Sequence, residues 1–213
     1  MDISNKKVNF LGDSITEGSG ASSPDKCYVS LFKKAYPNAD ISNYGIGGTR
    51  IARQVVPYSP RMDLDFNMRA VEMDDNADLV VVFGGVNDFG HGDAPFGEFG
   101  DTTVNTFCGA VYALYETLLN KYPLAKILVL TPLHFLREDV PDKKGKILSD
   151  YVQMIRKTAE YFSLPVLDLW ASSGMNPRVA KVQETMMTDG LHPNDNGHQR
   201  LFELIDAYIK AML

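Results

Sequence analysis

The sequence has few of the features that identify secreted, membrane or nucleic-acid-binding proteins. Its only cysteines, Cys27 and Cys108, are far apart, which argues against a disulfide framework. A net charge of −6 argues against nucleic-acid binding, because neutralising phosphates requires a basic surface. No apolar run is long enough to span a bilayer, and no signal-peptide core follows Met1. We therefore expect a cytoplasmic protein that binds neither nucleic acid nor membranes.

Metal-binding patterns are also scarce. The sequence contains no His-Glu-x-x-His motif, and no second histidine lies within one helical turn of His192. Asp189 and His192 could combine with Asp88 and Asp13 in a mixed carboxylate–imidazole site. Without a recognisable ligand spacing, this alternative has little support. We expect no metal and no cofactor.

What the sequence does contain is an alternation of strand and helix patterns. The composition, 45 % hydrophobic and 23 % charged over 213 residues, is typical of one globular domain, here residues 1–213. Five strands are predicted, at residues 8–11, 40–44, 78–83, 127–130 and 165–169. Helices are predicted at residues 28–35, around the apolar positions from 104 to 118, at 147–162 and around 201–209. This alternation predicts an α/β fold with a parallel sheet covered on both faces.

Polar and glycine-rich blocks follow four of the predicted strands. Gly12-Asp13-Ser14 follows the first strand and a glycine-rich block, residues 43–49, follows the second. Residues 84–88, which include Asn87, follow the third, and residues 189–193 come after the fifth. Ligands bind at the carboxyl ends of the strands in open α/β sheets. The four blocks are therefore expected to meet at one edge of the sheet.

The first and last blocks supply the residue types of a serine hydrolase. A serine becomes nucleophilic through a neighbouring base, and that base needs a carboxylate to hold its tautomer. Ser14, His192 and Asp189 are the candidates for these roles. Taken alone, Ser14 or Asp13 could equally be a helix N-cap.

The choice of histidine depends on position, because the chain has four. An aspartate three residues earlier is shared by His192, His91 and His198, so that spacing does not select among them. His192 precedes the last helix and is followed by a proline, which favours it as the base. His91 and His134 could line the site, and His198 is expected to be a surface or capping residue.

The two middle blocks could stabilise an oxyanion. Glycine allows a backbone N–H to approach a developing negative charge closely, and an asparagine amide can donate to the same oxygen. A flexible turn is the alternative for residues 43–49. A phosphate-binding loop is the alternative for residues 84–88, but neither the Gly-Lys-Ser/Thr nor the dinucleotide-binding glycine spacing is present. The Gly-x-Ser-x-Gly motif of the nucleophile elbow is also missing.

The four ordered blocks resemble those of the GDSL, or SGNH, family of serine esterases and acyl hydrolases. They are Gly-Asp-Ser-Ile at 12–15, Asn-Tyr-Gly-Ile-Gly-Gly at 43–48, Gly-Val-Asn-Asp at 85–88 and Asp-Gly-Leu-His-Pro at 189–193. Ile15 replaces the leucine for which the family is named. The resemblance implies a flavodoxin-like three-layer α/β/α sandwich with strand order 2-1-3-4-5. It also implies a triad of Ser14, His192 and Asp189, and an oxyanion hole formed by Ser14, Gly48 and Asn87.

The substrate is less well defined than the reaction. We expect a small, acetyl-like ester on a carbohydrate, contacted by Asp13, Tyr44, Arg50, His91 and His134. The aromatic residues near the site could instead only pack loops onto the body of the protein. A thioesterase or lysophospholipase that takes a longer acyl group is the alternative enzyme. A carbohydrate-binding protein without catalysis is the alternative of another class. The number of subunits stays open.

Overall fold

The computed structural model describes residues 1–212, and its centre is a five-stranded parallel sheet. The strand order is β2-β1-β3-β4-β5, as the resemblance implies. The strands are β1 (Lys7–Gly12), β2 (Asp40–Gly45), β3 (Leu79–Phe83), β4 (Lys126–Leu130) and β5 (Val166–Leu167). The expected α/β class and strand order are confirmed.

The two faces of the sheet carry separate hydrophobic cores. Every residue of β3 is buried, which explains why this strand is a continuous apolar run rather than an alternating one. Val80 and Val82 face one core, whereas Leu79, Val81 and Phe83 face the other, as the two-residue period of a strand requires. The sheet is therefore the middle layer of three.

Helices form the two outer layers. In chain order they are α1 (Ser14–Glu17), α2 (Tyr28–Ala35), α3 (Phe66–Glu72), α4 (Val86–Gly90), α5 (Phe107–Lys121), α6 (Leu148–Tyr161), α7 (Leu169–Ser172), α8 (Ala180–Met186) and α9 (Asp195–Met212), with a 3-10 turn at Pro24–Lys26. Helices α3, α5 and α6 bury their apolar sides against one face of the sheet. Helices α2 and α9 cover the other face. None of the helices in residues 1–212 is both long and apolar enough to cross a bilayer.

The structure departs from the predicted elements mainly at short segments. The fifth strand has two residues rather than five, because the Asp168 side chain accepts a hydrogen bond from the Ala171 N–H and starts α7. Thr106 caps α5 in the same way, so Val104 lies outside that helix. Helices α1, α3, α4, α7 and α8 were not predicted. Of these, α4 matters most because it carries Asn87.

His198 corrects the expectation of a surface or capping histidine. Its side chain is fully buried beneath α2. One ring nitrogen, Nδ1, accepts a hydrogen bond from the Tyr28 N–H at 3.3 Å, and Nε2 donates to the Ser19 carbonyl at 3.2 Å. Burial lowers the pKa of His198, so the ring is held neutral. It is a structural residue that joins α9 to the loop after α1.

Candidate active site

Ser14, His192 and Asp189 form a continuous chain of hydrogen bonds at the carboxyl edge of the sheet. The Ser14 Oγ lies 3.0 Å from His192 Nε2, although the two residues are 178 positions apart in the sequence. The His192 Nδ1 lies 2.7 Å from Asp189 Oδ2. Ser14 is 8 % exposed, so its hydroxyl is largely shielded from solvent. The fold therefore brings the two ends of the chain together at this serine.

The carboxylate determines which nitrogen of His192 carries the proton. An ionised carboxylate only accepts hydrogen bonds, so Nδ1 must donate to Asp189. The neutral ring then presents Nε2 as an acceptor to the Ser14 hydroxyl. In this tautomer His192 can take the serine proton. The arrangement has the order of groups that activates a serine nucleophile.

A tight turn fixes Asp189 relative to the imidazole. Its Oδ1 accepts hydrogen bonds from the backbone N–H groups of Leu191 and His192, at 2.9 and 2.7 Å. Gly190 adopts a φ of +78°, a left-handed conformation that glycine reaches without strain. Partial burial alone would raise the pKa of Asp189, but the hydrogen bonds from the His192 ring and the two N–H groups lower it overall. Asp189 therefore stays ionised.

Asp13 holds the short helix that carries the serine. Its Oδ1 accepts a hydrogen bond from the Ile15 N–H at 3.1 Å and caps α1. The side chain is only 2 % exposed. Burial raises the pKa of Asp13 to about 6, against the opposing effects of the Ile15 N–H and of the charge on Arg69. The contact with Ile15 gives Asp13 a structural role, and its contact with substrate stays a prediction.

The glycine loop after β2 lies directly beside the serine. The Gly47 N–H donates to Glu17 Oε2 at 2.8 Å, which ties the loop to α1. A Cβ at Gly47 would lie 3.6 Å from the Ser14 Cβ. Gly48 has a φ of +76°, and a Cβ there would lie 2.3 Å from the Met62 Cε. Within residues 1–212 the Gly48 N–H donates no backbone hydrogen bond.

Helix α4 carries the asparagine of the third block. Asn87 Nδ2 donates to the Thr49 carbonyl at 3.0 Å, so the amide lies against the residue that follows Gly48. Asp88 reinforces this contact, because its two carboxylate oxygens accept the N–H groups of Ile51 and Ala52, both at 2.9 Å. Burial raises the pKa of Asp88 to about 7, although both N–H groups favour the ionised form. These bonds hold the third block against residues 49–52.

Arg69 is a site-supporting residue that sequence reasoning missed. From α3 its guanidinium donates to the Gly12 carbonyl at 3.0 Å and to Thr49 Oγ1 at 2.8 Å, and it also contacts the Tyr44 carbonyl. It thus joins the carboxyl ends of β1 and β2 to the glycine loop. The only signal in the sequence is its place beside the buried residues Phe66 and Ala70 of α3, a helix that was not predicted.

Two residues that were predicted to contact substrate are engaged by other parts of the protein. The Tyr44 hydroxyl accepts a hydrogen bond from the Asp74 N–H at 3.2 Å, and Asp74 pairs with Lys7 at the start of β1. The phenol therefore points toward the opposite edge of the sheet from Ser14. The Arg50 side chain is 2 % exposed and lies beneath the glycine loop rather than at its rim.

The other two histidines are each engaged by neighbouring side chains. His91 contacts Asn87 through Nε2 at 3.2 Å and Arg50 through Nδ1 at 3.4 Å. Neither ring nitrogen of His91 is left for a substrate. His134 Nδ1 lies 3.0 Å from Glu138 Oε2, and its ring packs on Trp170 with centroids 4.1 Å apart. Across residues 1–212, no cluster of histidine, cysteine and acidic residues could hold a metal ion.

Two cavities of very different size lie near these residues. The larger, of about 360 Å³, lies between the loop after α4 and the loop after β4. Its walls combine apolar and charged side chains: Phe89, His91, Asp93, Phe135, Arg137, Val140 and Lys143. The smaller, about 10 Å³, is lined by Asp13, Ile15 and Leu191, among others, and has room for about one water molecule.

Comparisons with known proteins agree with this architecture. Residues 10–200 match the family model described as "GDSL-like Lipase/Acylhydrolase family". One crystal structure is 34 % identical over 100 % of this chain and 99 % of its own, with a TM-score of 0.87. A protein from Lactobacillus plantarum is 26 % identical over all of both chains, with a TM-score of 0.86. A two-domain esterase active on acetylated mannans is 24 % identical over 96 % of this chain and 49 % of its own, with a TM-score of 0.62. Among curated proteins no match is found.

Proposed function

The chain belongs to the GDSL-like lipase/acylhydrolase family, and on that premise we propose that it is a serine esterase that removes a small acyl group from a carbohydrate. The observation that carries the proposal is the hydrogen-bonded chain from Ser14 through His192 to Asp189. A serine hydroxyl in contact with an imidazole whose other nitrogen donates to a carboxylate is arranged for nucleophilic attack on an ester.

In the proposed mechanism, His192 acts as general base and then as general acid. Ser14 Oγ attacks the ester carbonyl while its proton moves to His192 Nε2. Asp189 keeps Nδ1 protonated and stabilises the imidazolium that forms. The imidazolium then gives its proton to the leaving alcohol as the tetrahedral intermediate collapses to an acyl-enzyme. Water, deprotonated by His192, releases the acid and restores the Ser14 hydroxyl.

Three donors are proposed to stabilise the oxyanion of the intermediate. They are the backbone N–H groups of Ser14 and Gly48 and the side-chain amide of Asn87. The Ser14 N–H is the first of α1 and has no acceptor within that helix. The bond from Asn87 Nδ2 to Thr49 uses only one of the two amide hydrogens, which leaves the other for a ligand. Loss of one such donor costs about 10²–10³ in kcat in acyl-transfer enzymes.

The small pocket beside α1 supports a small acyl group. The apolar pocket next to Asp13 and Ile15 holds only about 10 Å³, which is too little for an alkyl chain. The structural likeness to an esterase active on acetylated mannans is consistent with an acetylated carbohydrate as substrate. The cavity of about 360 Å³ beside His91 favours the second candidate, a thioesterase or lysophospholipase, because it could accept a longer acyl chain.

The experiment that tests the proposal is hydrolysis of p-nitrophenyl acetate, butyrate and octanoate by the wild type and Ser14→Ala. Ser172→Ala is a matched control, because that helix serine bonds only the Asp168 carbonyl. We expect turnover to fall steeply with chain length and to be lost in Ser14→Ala alone. A rise toward octanoate would support the second candidate. Turnover that survives in Ser14→Ala would refute the nucleophile, and a folded but inactive wild type would support a binding protein.

Two further variants distinguish the role of the imidazole from that of the carboxylate in the proposed triad. His192→Ala removes the base and should reduce kcat nearly as much as Ser14→Ala. Asp189→Asn keeps a side chain beside Nδ1 and should reduce kcat less than His192→Ala does. The opposite order, measured with p-nitrophenyl acetate, would contradict the assigned roles.

A further inference from the structure

The buried guanidinium of Arg50 lies between the two oxyanion donors proposed besides the Ser14 N–H, which are the Gly48 N–H and the Asn87 amide. Arg50 Nη1 donates to the Gly48 carbonyl at 3.1 Å and lies 3.4 Å from His91 Nδ1. Its Nη2 donates to Asp63 Oδ1 at 3.1 Å. The side chain is 2 % exposed, so it does not reach a substrate directly. Its charge is compensated by Asp63, and its remaining contacts face the glycine loop and His91.

The contacts of His91 assign its tautomer. The Asn87 amide nitrogen donates to Thr49, so its oxygen, Oδ1, is the atom that faces His91 Nε2 at 3.2 Å. An amide oxygen only accepts, so Nε2 carries the ring proton. Nδ1 is then the acceptor for Arg50. Asn87 is the second residue of α4 and His91 directly follows the helix, so the two are four positions apart and their side chains meet on the same side.

The electrostatic surroundings keep His91 in this form. Burial lowers the pKa of His91, and the neighbouring charges of Arg50 and Lys144 lower it further. Lys144 donates to the carbonyls of Asp88 and Gly92, which lie before and after His91 in the sequence. The neutral ring therefore links Arg50 to the Asn87 amide with one donor and one acceptor.

We propose that Arg50 and His91 are positioning residues that together set the direction of the two oxyanion donors, Gly48 N–H and Asn87 Nδ2–H. Arg50 holds the Gly48 carbonyl, which lies in the peptide after the Gly48 N–H, and so anchors the backbone of the residue that carries this donor. His91 fixes the amide of Asn87 by its oxygen. Neither residue touches the reacting atoms. This inference rests on the proposed function, since it requires an oxyanion to be stabilised. It also assigns to His91 a role other than substrate binding.

A double-mutant cycle between His91 and Asn87 tests the proposal. We expect His91→Ala to lower kcat for p-nitrophenyl acetate by about 3- to 10-fold, the effect of one lost hydrogen bond, with little change in KM. In an Asn87→Ala background, the same His91→Ala change should have no further effect, because the amide that His91 positions is no longer present. Equal fold-losses in both backgrounds would overturn the inference. So would an effect on KM alone, which is what a substrate contact predicts.

Rescue by a conservative replacement distinguishes positioning from packing. Glutamine offers one amide donor and one acceptor, as neutral histidine does, so His91→Gln should recover most of the kcat lost in His91→Ala. Failure of the rescue, with an unfolding temperature equal to that of the wild type, would count against the proposal.

The Arg50 arm is tested with Arg50→Lys, which keeps the charge but cannot reach Gly48, His91 and Asp63 together. We expect a larger loss of kcat than in His91→Ala, because both donors are affected. A smaller loss would contradict the proposed role of Arg50. Should Arg50→Lys not fold, the His91 cycle decides the matter alone. Failure of the proposed function is recognised separately, by wild-type activity that does not depend on Ser14.

Discussion

The left-handed conformation of Gly48 makes Gly48→Ala the most informative single substitution. An alanine at its φ of +76° is strained by about 1–2 kcal/mol. The added Cβ would also lie 2.3 Å from the Met62 Cε, the flexible end of a side chain that can move away. For a chain of this length, the strain corresponds to a fall in unfolding temperature of about 2–8 °C.

The effect on activity should exceed the effect on stability. The strained peptide can relax only by rotating, which turns the Gly48 N–H away from the position where it would meet the oxyanion. Losing that donor should lower kcat by on the order of 10². The assay is kcat for p-nitrophenyl acetate at 25 °C, well below the unfolding temperature, together with thermal unfolding followed by circular dichroism.

Gly145→Ala is the matched control. Gly145 has a φ of +72°, nearly the same as Gly48, but a Cβ there would meet nothing within 4 Å. We expect the control to lose the same 1–2 kcal/mol of stability and to keep wild-type kcat. In the double variant Gly48→Ala/Met62→Ala the steric clash is removed but the φ strain stays, so kcat should not recover. Equal kcat in Gly48→Ala and Gly145→Ala would refute the assigned role of the Gly48 N–H.

Two further predictions concern the support of the site and the buried histidine. Asp88→Asn replaces one of two accepting oxygens with a donor that faces a backbone N–H. The free energy of unfolding in urea should therefore fall by about 1–3 kcal/mol. An unchanged midpoint of urea unfolding would contradict this prediction. His198 has a lowered pKa, so as pH falls below about 6.5 the unfolded chain takes up a proton that the folded chain does not, and stability is lost. The stability difference between wild type and His198→Gln should therefore shrink between pH 7 and pH 5, and a constant difference would show that His198 does not titrate differently on folding.

The long apolar strands and amphipathic helices could be predicted from the sequence because burial alone defines them. β3 is buried on both faces and therefore reads as an uninterrupted apolar run. The short elements were missed because local hydrogen bonds define them instead. Helix α4 has five residues, from the one after Gly85 to Gly90, and α1 has four. No hydrophobic period can be recognised over so few positions.

For the site residues, the positions along the chain could be predicted but the directions of the side chains could not. The positions of Ser14, Asp189 and His192 could be inferred because each block follows a strand, and strand ends converge in a parallel sheet. Side-chain directions could not be inferred, as Tyr44 shows: it lies one residue before the end of β2, but its ring reaches back to Asp74. The burial of Arg50 was also unpredictable, because its partners Gly48, His91 and Asp63 come from separate segments.

The separation of 178 residues between Ser14 and His192 has a consequence for how activity arises during protein synthesis. The serine and its neighbouring strands β1, β2 and β3 leave the ribosome early, whereas the imidazole and carboxylate follow only after β5 and α8. Until then the nascent chain carries a serine without a base, which is a poor nucleophile. Closing so long a loop is also slow relative to local folding. Under the proposed mechanism, hydrolysis therefore begins only after His192 has emerged, and recovery of turnover on refolding would report the last step of assembly.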